Sequence, residues 1–127
     1  MDGTEQLEPG TVMVLGTNGA LRQSDRIYDK RVAGVISGAG DYKPGIILGK
    51  QQAQKNRVSI ALLGKVYCKV DAQGSPIEVG DLLTTSATPG HAMKAQDSQK
   101  AFGAVIGKAL QPLRNGHGLV PILITLQ

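Results

Sequence analysis

The stretch GDLLTTSATPGHAMKAQD, residues 80 to 97, places hydroxyls beside an imidazole. Thr84, Thr85, Ser86 and Thr88 precede His91, one of only two histidines in the chain. A serine that surrenders its proton to a histidine is the kernel of acyl-transfer chemistry. That chemistry also needs a carboxylate to orient the imidazole and a strained turn to present the nucleophile, as in G-x-S-x-G. Ser86 stands instead in T-T-S-A-T. The other histidine, His117, lies in RNGHGL, and two histidines in two turns make a metal site only where the turns converge. Four carboxylates, Glu8, Asp71, Glu78 and Asp81, fall in turn-like segments. Brought close, two of them would share a proton and act as acid and base. Kept apart they decorate turns, with Asp81 accepting bonds from backbone amides. GAGDYKPG (38–45) has the glycines of a phosphate loop. It lacks G-x-x-x-x-G-K-[ST] and a following helix, so it reads as a wide loop between strands. None of these patterns implies a metal or a cofactor.

The elements that position these residues read as strands. In RVSIALLGKVYCKV (57–70), Val58, Ile60, Leu62, Val66, Cys68 and Val70 are apolar and alternate with a mixed set that includes Ala61, Leu63 and Tyr67. That is the period-two pattern of a strand with one face in the core. A strand of this length would run roughly 43 Å, long for a compact domain, so Gly64 is read as a bend or bulge. Cys68 then points inward as a small buried hydrophobe. Similar runs at Thr11–Leu15, Arg31–Ser37, Gly45–Leu48, Ala101–Ile106 and Leu119–Leu126 complete an all-β reading. Pro121 lacks a ladder donor, which predicts an edge position for the last strand or for its start. No window shows sustained helical periodicity flanked by caps.

The chain also repeats itself. LEPGTVMVLGTNGALRQSD from Leu7 aligns with IEVGDLLTTSATPGHAMKAQD from Ile77 at an offset of about seventy residues. Glu8 matches Glu78 and Gly10 matches Gly80; VAGVISG (32–38) then falls against FGAVIG (102–107). The expectation is two units, about 7–70 and 77–127, each of three to four strands. Neither unit buries a core alone. Packed together within a single domain, 1–127, they form a small barrel or sandwich with pseudo-two-fold symmetry. In this alignment Asn18-Gly19 and Pro89-Gly90 occupy the same turn, which favours a hairpin tip over a catalytic site at Ser86 and His91.

Composition narrows the partners. The formal charge of +4 is spread along the chain, and the densest basic stretch is Lys50, Lys55 and Arg57 in KQQAQKNR. One Phe, three Tyr and no Trp offer few stacking platforms, which argues against nucleic acid. There is no apolar run of about 18 residues to insert into a membrane. The acidic, polar start MDGTEQLEPG is no secretory signal. A single cysteine excludes an intrachain disulfide.

YDKRVAGVISGAGDYKPGIILG, together with IALLGKVYCKVDAQGSPIEVGDLL, resembles the C-terminal intramolecular-chaperone, or peptidase G2, domain of bacteriophage tail-appendage proteins and bacterial surface proteins. The resemblance runs from about Gly10 onward. It rests on the Gly-Val-Ile-Ser strand with its Pro-Gly loop, the Leu-Gly-Lys-Val strand, and the Asp-x-x-Gly…Val-Gly-Asp turn. It implies a homotrimerising β module that helps a fibrous region of a parent protein fold in register, on a virion or bacterial surface. In some members the domain cuts itself off, and that activity would fall to Glu8, Asp71, Glu78 and Asp81. The acidic-aromatic segment that precedes the domain in phage proteins is missing, so a scissile bond there is not expected in this chain. The main expectation is a structural module without chemistry, its candidate interface being Ala61, Leu63 and Tyr67. An autoproteolytic domain is the alternative, and a small β-barrel binding carbohydrate or nucleic acid is the second.

Overall fold

The computed structural model describes residues 8–38, 46–48 and 60–126. The basic stretch 50–57, the loop beyond Gly38 in GAGDYKPG and the side chain of Leu63 lie outside the described residues. The fold is all-β. The strands are β1 (Val12–Leu15), β2 (Leu21–Gln23), β3 (Val32–Ile36), β4 (Ile46–Leu48), β5 (Ile60–Asp71), β6 (Leu82–Thr85), β7 (Ala92–Lys94), β8 (Val105–Ala109) and β9 (His117–Thr125). One short helix, α1 (Ser98–Ala101), precedes β8. Among the described residues no helix is long and apolar enough to cross a membrane.

β5 is the strand on which the molecule hangs. Its first residues pair with β3, Val35 opposite Ala61, and with β4, Ile47 opposite Ala61. Its remainder pairs with β9 from Leu63↔Thr125 to Asp71↔His117. Gly64, at φ +89°, marks the change of partners, a conformation that a side chain rarely adopts. β1, β2 and β3 extend from one half of β5 in the order β2-β1-β3-β5. From the other half the pairings run β5-β7-β6-β8-β9 and return to β5, closing a ring. Every pairing is antiparallel except the single parallel pair Val70↔Ala92 between β5 and β7.

The alternation in β5 sends Val66, Cys68 and Val70 into the core, where they meet Val120, Ile122 and Ile124 of β9 and Leu83 and Ile106. Cys68 is fully buried, and burial pushes its thiol up to about 12, so it stays protonated and inert. Ala61 is buried as well, at 0% exposure, which removes it from the candidate interface. The alternation stops before Gly64 because Ala61 packs into the main core while Ile60 packs into a second cluster with Met13 and Ile36. Of the other two interface candidates, Tyr67 is half-buried and Leu63 falls outside the described side chains.

One expectation is met in part and another is corrected. Over Ile122–Ile124 β9 lies between β5 and β8, but from His117 to Val120 its ladder partner is β5 alone, so the start of the last strand is at an edge and the rest is not. Pro121 is accommodated because the N and C=O of a strand residue face the same flank. Its carbonyl accepts from Leu110 N–H at 2.9 Å, so one bond of this pair is kept just beyond the end of β8 and only the return bond is lost. The run Ala101–Ile106 is not one strand. Asp97 caps α1 by accepting from the Gln99 and Lys100 N–H groups, and Ala101 ends the helix before β8 begins at Val105.

The same backbone bonds recur in the two halves of the chain. Gly10 N–H bonds Ile36 O and Ile36 N–H bonds Thr11 O; Gly80 N–H bonds Ala109 O and Ala109 N–H bonds Asp81 O. Ser24 N–H bonds Val12 O as Ala95 N–H bonds Leu82 O. Ladder breaks fall between Met13 and Val14 in β1 and between Leu83 and Thr84 in β6. Ala109 makes the bonds that correspond to those of Ile36, rather than Ile106, with which the sequence alignment pairs Ile36.

A cross-brace ties the β2–β3 loop to the ring. Asp29 N–H donates to the buried Thr85 Oγ1 at 2.7 Å. Tyr28, at φ +52°, accepts from the Gln96 and Asp97 N–H groups on its hydroxyl at 3.1 and 3.0 Å. The Asp29 side chain, 5% exposed, pairs with Arg31 at 3.2 Å. Burial pushes the Asp29 carboxyl up, but the Arg31 bonds and charge outweigh it and hold it below its ordinary value. A depressed carboxyl stabilises the fold above its unfolded pKa of about 3.9 and loses that contribution as pH falls through the folded value. In Asp29→Asn the urea midpoint is therefore lower than that of the parent at pH 7, and the gap narrows by pH 3. A gap that is constant across that range would remove the ionised pair from the brace.

Candidate functional site

The hydroxyl-rich turn between β6 and β7 is held from within. Ser86 N–H bonds His91 O and His91 N–H bonds Thr88 O, both at 3.1 Å. The Ser86 hydroxyl, 3% exposed, reaches the carbonyls of His91 at 2.9 Å and Thr88 at 3.2 Å. A carbonyl only accepts, so the serine proton is committed to the turn. His91 Nδ1 lies 2.8 Å from Pro89 O, which places a proton on Nδ1 for the same reason. Ser86 and His91 therefore brace a hairpin tip, as the Pro89-Gly90 turn predicts. Thr84 and Thr85 are equally internal: Thr84 Oγ1 donates to Ala104 O at 2.7 Å, and Thr85 receives Asp29.

The two histidines nevertheless meet. The β5–β9 register sets Asp71 opposite His117, and the β6–β7 turn folds over that end. The rings of His91 and His117 lie 4.9 Å apart, tilted at 49°. Asp71 sits beneath them. Its Oδ2 accepts from Thr88 Oγ1 at 2.5 Å and lies 3.5 Å from His117 Nε2, while Oδ1 accepts from Gln73 N–H at 2.8 Å. Burial raises the Asp71 carboxyl, but the Thr88 and Gln73 bonds and the charges of His117 and His91 bring it below its usual range. Asp71 is thus an acceptor and an anion, not a proton donor. Among the described residues no group of three or more His, Cys, Asp or Glu is arranged to hold a metal ion.

The four carboxylates do not gather. Glu8 pairs with Lys69 at 2.5 Å, whose bond and charge lower its pKa. Asp81 accepts from the Glu78 N–H at 2.8 Å and faces Lys94 Nζ at 3.5 Å, and the Glu78 side chain is exposed. No hydrogen bond or ion pair among the described residues joins two of these carboxyl groups, and a shared proton requires such a contact.

Sequence reasoning missed the surface around α1. Phe102, the only phenylalanine, is 89% exposed. It borders a groove of about 320 Å³ whose apolar walls come from Leu82, Ala95, Ala101 and Val105. Register places Leu82, Lys108 and Leu123 in one row across β6, β8 and β9, and both leucines are exposed. In the sequence Phe102 follows Ala101 as a core residue would; only the α1 cap and Gly103, at φ +82°, turn it outward.

Comparison of the chain with protein-family models, with curated proteins and with solved structures gave no match.

Proposed function

We propose that this chain is a non-catalytic assembly module, a homo-oligomerising β domain that trimerises and supports a fibre- or surface-type parent protein. The observation that carries the reading is Phe102. A phenyl ring this exposed, next to an apolar groove, is a knob beside a hole. Surfaces of that kind mark interaction sites. Phe102 lines the groove it borders, so ring and groove form one patch, repeated on every copy, through which copies meet. The resemblance to the intramolecular-chaperone family leads to the same reading and to three copies. The paired backbone bonds of the two halves, Gly10 to Ile36 and Gly80 to Ala109, support a body built from two β units related by a pseudo-two-fold axis.

Light scattering after size exclusion is expected to give three times the chain mass. Phe102→Ser is expected to give a monomer with an unchanged thermal midpoint at low concentration, since the ring contributes little to the isolated fold. A parent chain that remains monomeric at high concentration, or a Phe102→Ser chain that still trimerises, would overturn this reading.

A further inference from the structure

Asp71 has a second face. Its side chain is only 14% exposed, yet among the described residues no lysine or arginine pairs with it. Its ionisable neighbours are the imidazoles of His91 and His117. A carboxylate so far removed from water is stabilised by a full cation. A cleft of about 220 Å³ opens on it, bounded also by Ser75, Thr88, Gln96, Ile27 and Met93. Lys94 reaches the same cleft, but its ammonium lies 3.5 Å from Asp81. Thr88 has given its hydroxyl proton to Asp71 and keeps only lone pairs to offer. Gln96 donates from Nε2 to Ser75 Oγ at 3.0 Å, so its amide oxygen remains an acceptor. Acceptors at one end and the side chains of Ile27 and Met93 along the wall describe a complement for three N–H bonds on an alkyl stem.

We propose that this cleft binds a primary ammonium on a short aliphatic stem, the chemistry shared by a lysine side chain and a free alkylamine. Asp71 supplies the charge, Thr88 and Gln96 supply further acceptors, and Ile27 and Met93 flank the stem. The cleft shares Gln96 with the rim of the Phe102 groove, but the proposal does not rest on self-association.

The test is an amide-resolved NMR titration of the whole chain with n-butylammonium and with Nα-acetyl-lysine N-methylamide, using n-butanol as the uncharged control. Both amines are expected to give saturable shifts at Gly74, Ser75, Ala87 and Gln96, with Kd on the order of 1 mM, and n-butanol none. Asp71→Asn is expected to weaken binding at least tenfold. Gln96→Ala, at an exposed side chain that leaves the fold intact, is expected to weaken it several-fold. Tighter binding of the lysine derivative assigns the site to a protein-borne lysine, and equal binding assigns it to free amines. Absence of saturation by either amine up to ~100 mM, an equal response to n-butanol, or unchanged affinity in Gln96→Ala would overturn the proposal.

Discussion

Gly107→Ala is expected to cost about 3 kcal/mol or more and to lower the melting temperature by roughly 10 °C. Gly107 stands in β8 opposite Ile124. A Cβ added there would lie 2.1 Å from Leu123 O and 2.9 Å from Ile124 Cα. Those are backbone atoms, so no side chain can swing aside and β8 must part from β9. Gly34 has the same relation to the first half of the chain: its Cβ would meet Ala61 O at 2.6 Å. Gly74 is the control, because nothing lies within 4 Å of its Cβ position. Gly74→Ala is expected to stay within about 0.5 kcal/mol of the parent. Thermal melts of the three chains decide the matter, and a Gly107→Ala chain as stable as Gly74→Ala would refute the close approach of β8 and β9.

Ile122→Ala is expected to destabilise by roughly 2–5 kcal/mol, against about 0.5–1.5 kcal/mol for Ile122→Val. Ile122 faces Val66 in β5 on one side and Ala109 in β8 on the other, and it is fully buried. The magnitude separates two positions for β9. On an edge strand the cavity would collapse or fill with water and the loss would be small. Between two strands it cannot close. Urea unfolding of both variants reads the difference, and an alanine cost near that of valine would return β9 to the edge.

Pro121 shows where local rules ran out. The rule that proline avoids central strands concerns a missing donor, and at Pro121 it costs a single bond at the point where the β8 ladder stops. Where that ladder stops is a long-range fact. The alternation of Val66, Cys68 and Val70 was legible because one face of β5 meets one core, whereas Ala61 and Ile60 are buried in two different clusters and the period no longer reports burial. The hairpin tip at Ser86 was legible from Pro89-Gly90. The meeting of His91 and His117 over Asp71 was not, since it follows from a nine-pair register between β5 and β9. Phe102 was hidden by α1, whose four residues are too few to show a helical period but long enough to turn the ring to solvent.

The dependence of β5 on β9 also has a consequence in time. β5 ends at Asp71 and its longest partner begins only at His117. A ribosome adding about 5–20 residues per second leaves that interval open for roughly 2–10 s. Throughout it Val66, Cys68 and Val70 lack their β9 partners, while copies on neighbouring ribosomes present the same bare edge. A bare edge of this kind is a template for pairing with another chain. Slow elongation between Asp71 and His117 is thus expected to lower the yield of folded chain more than equally slow elongation before Ile60.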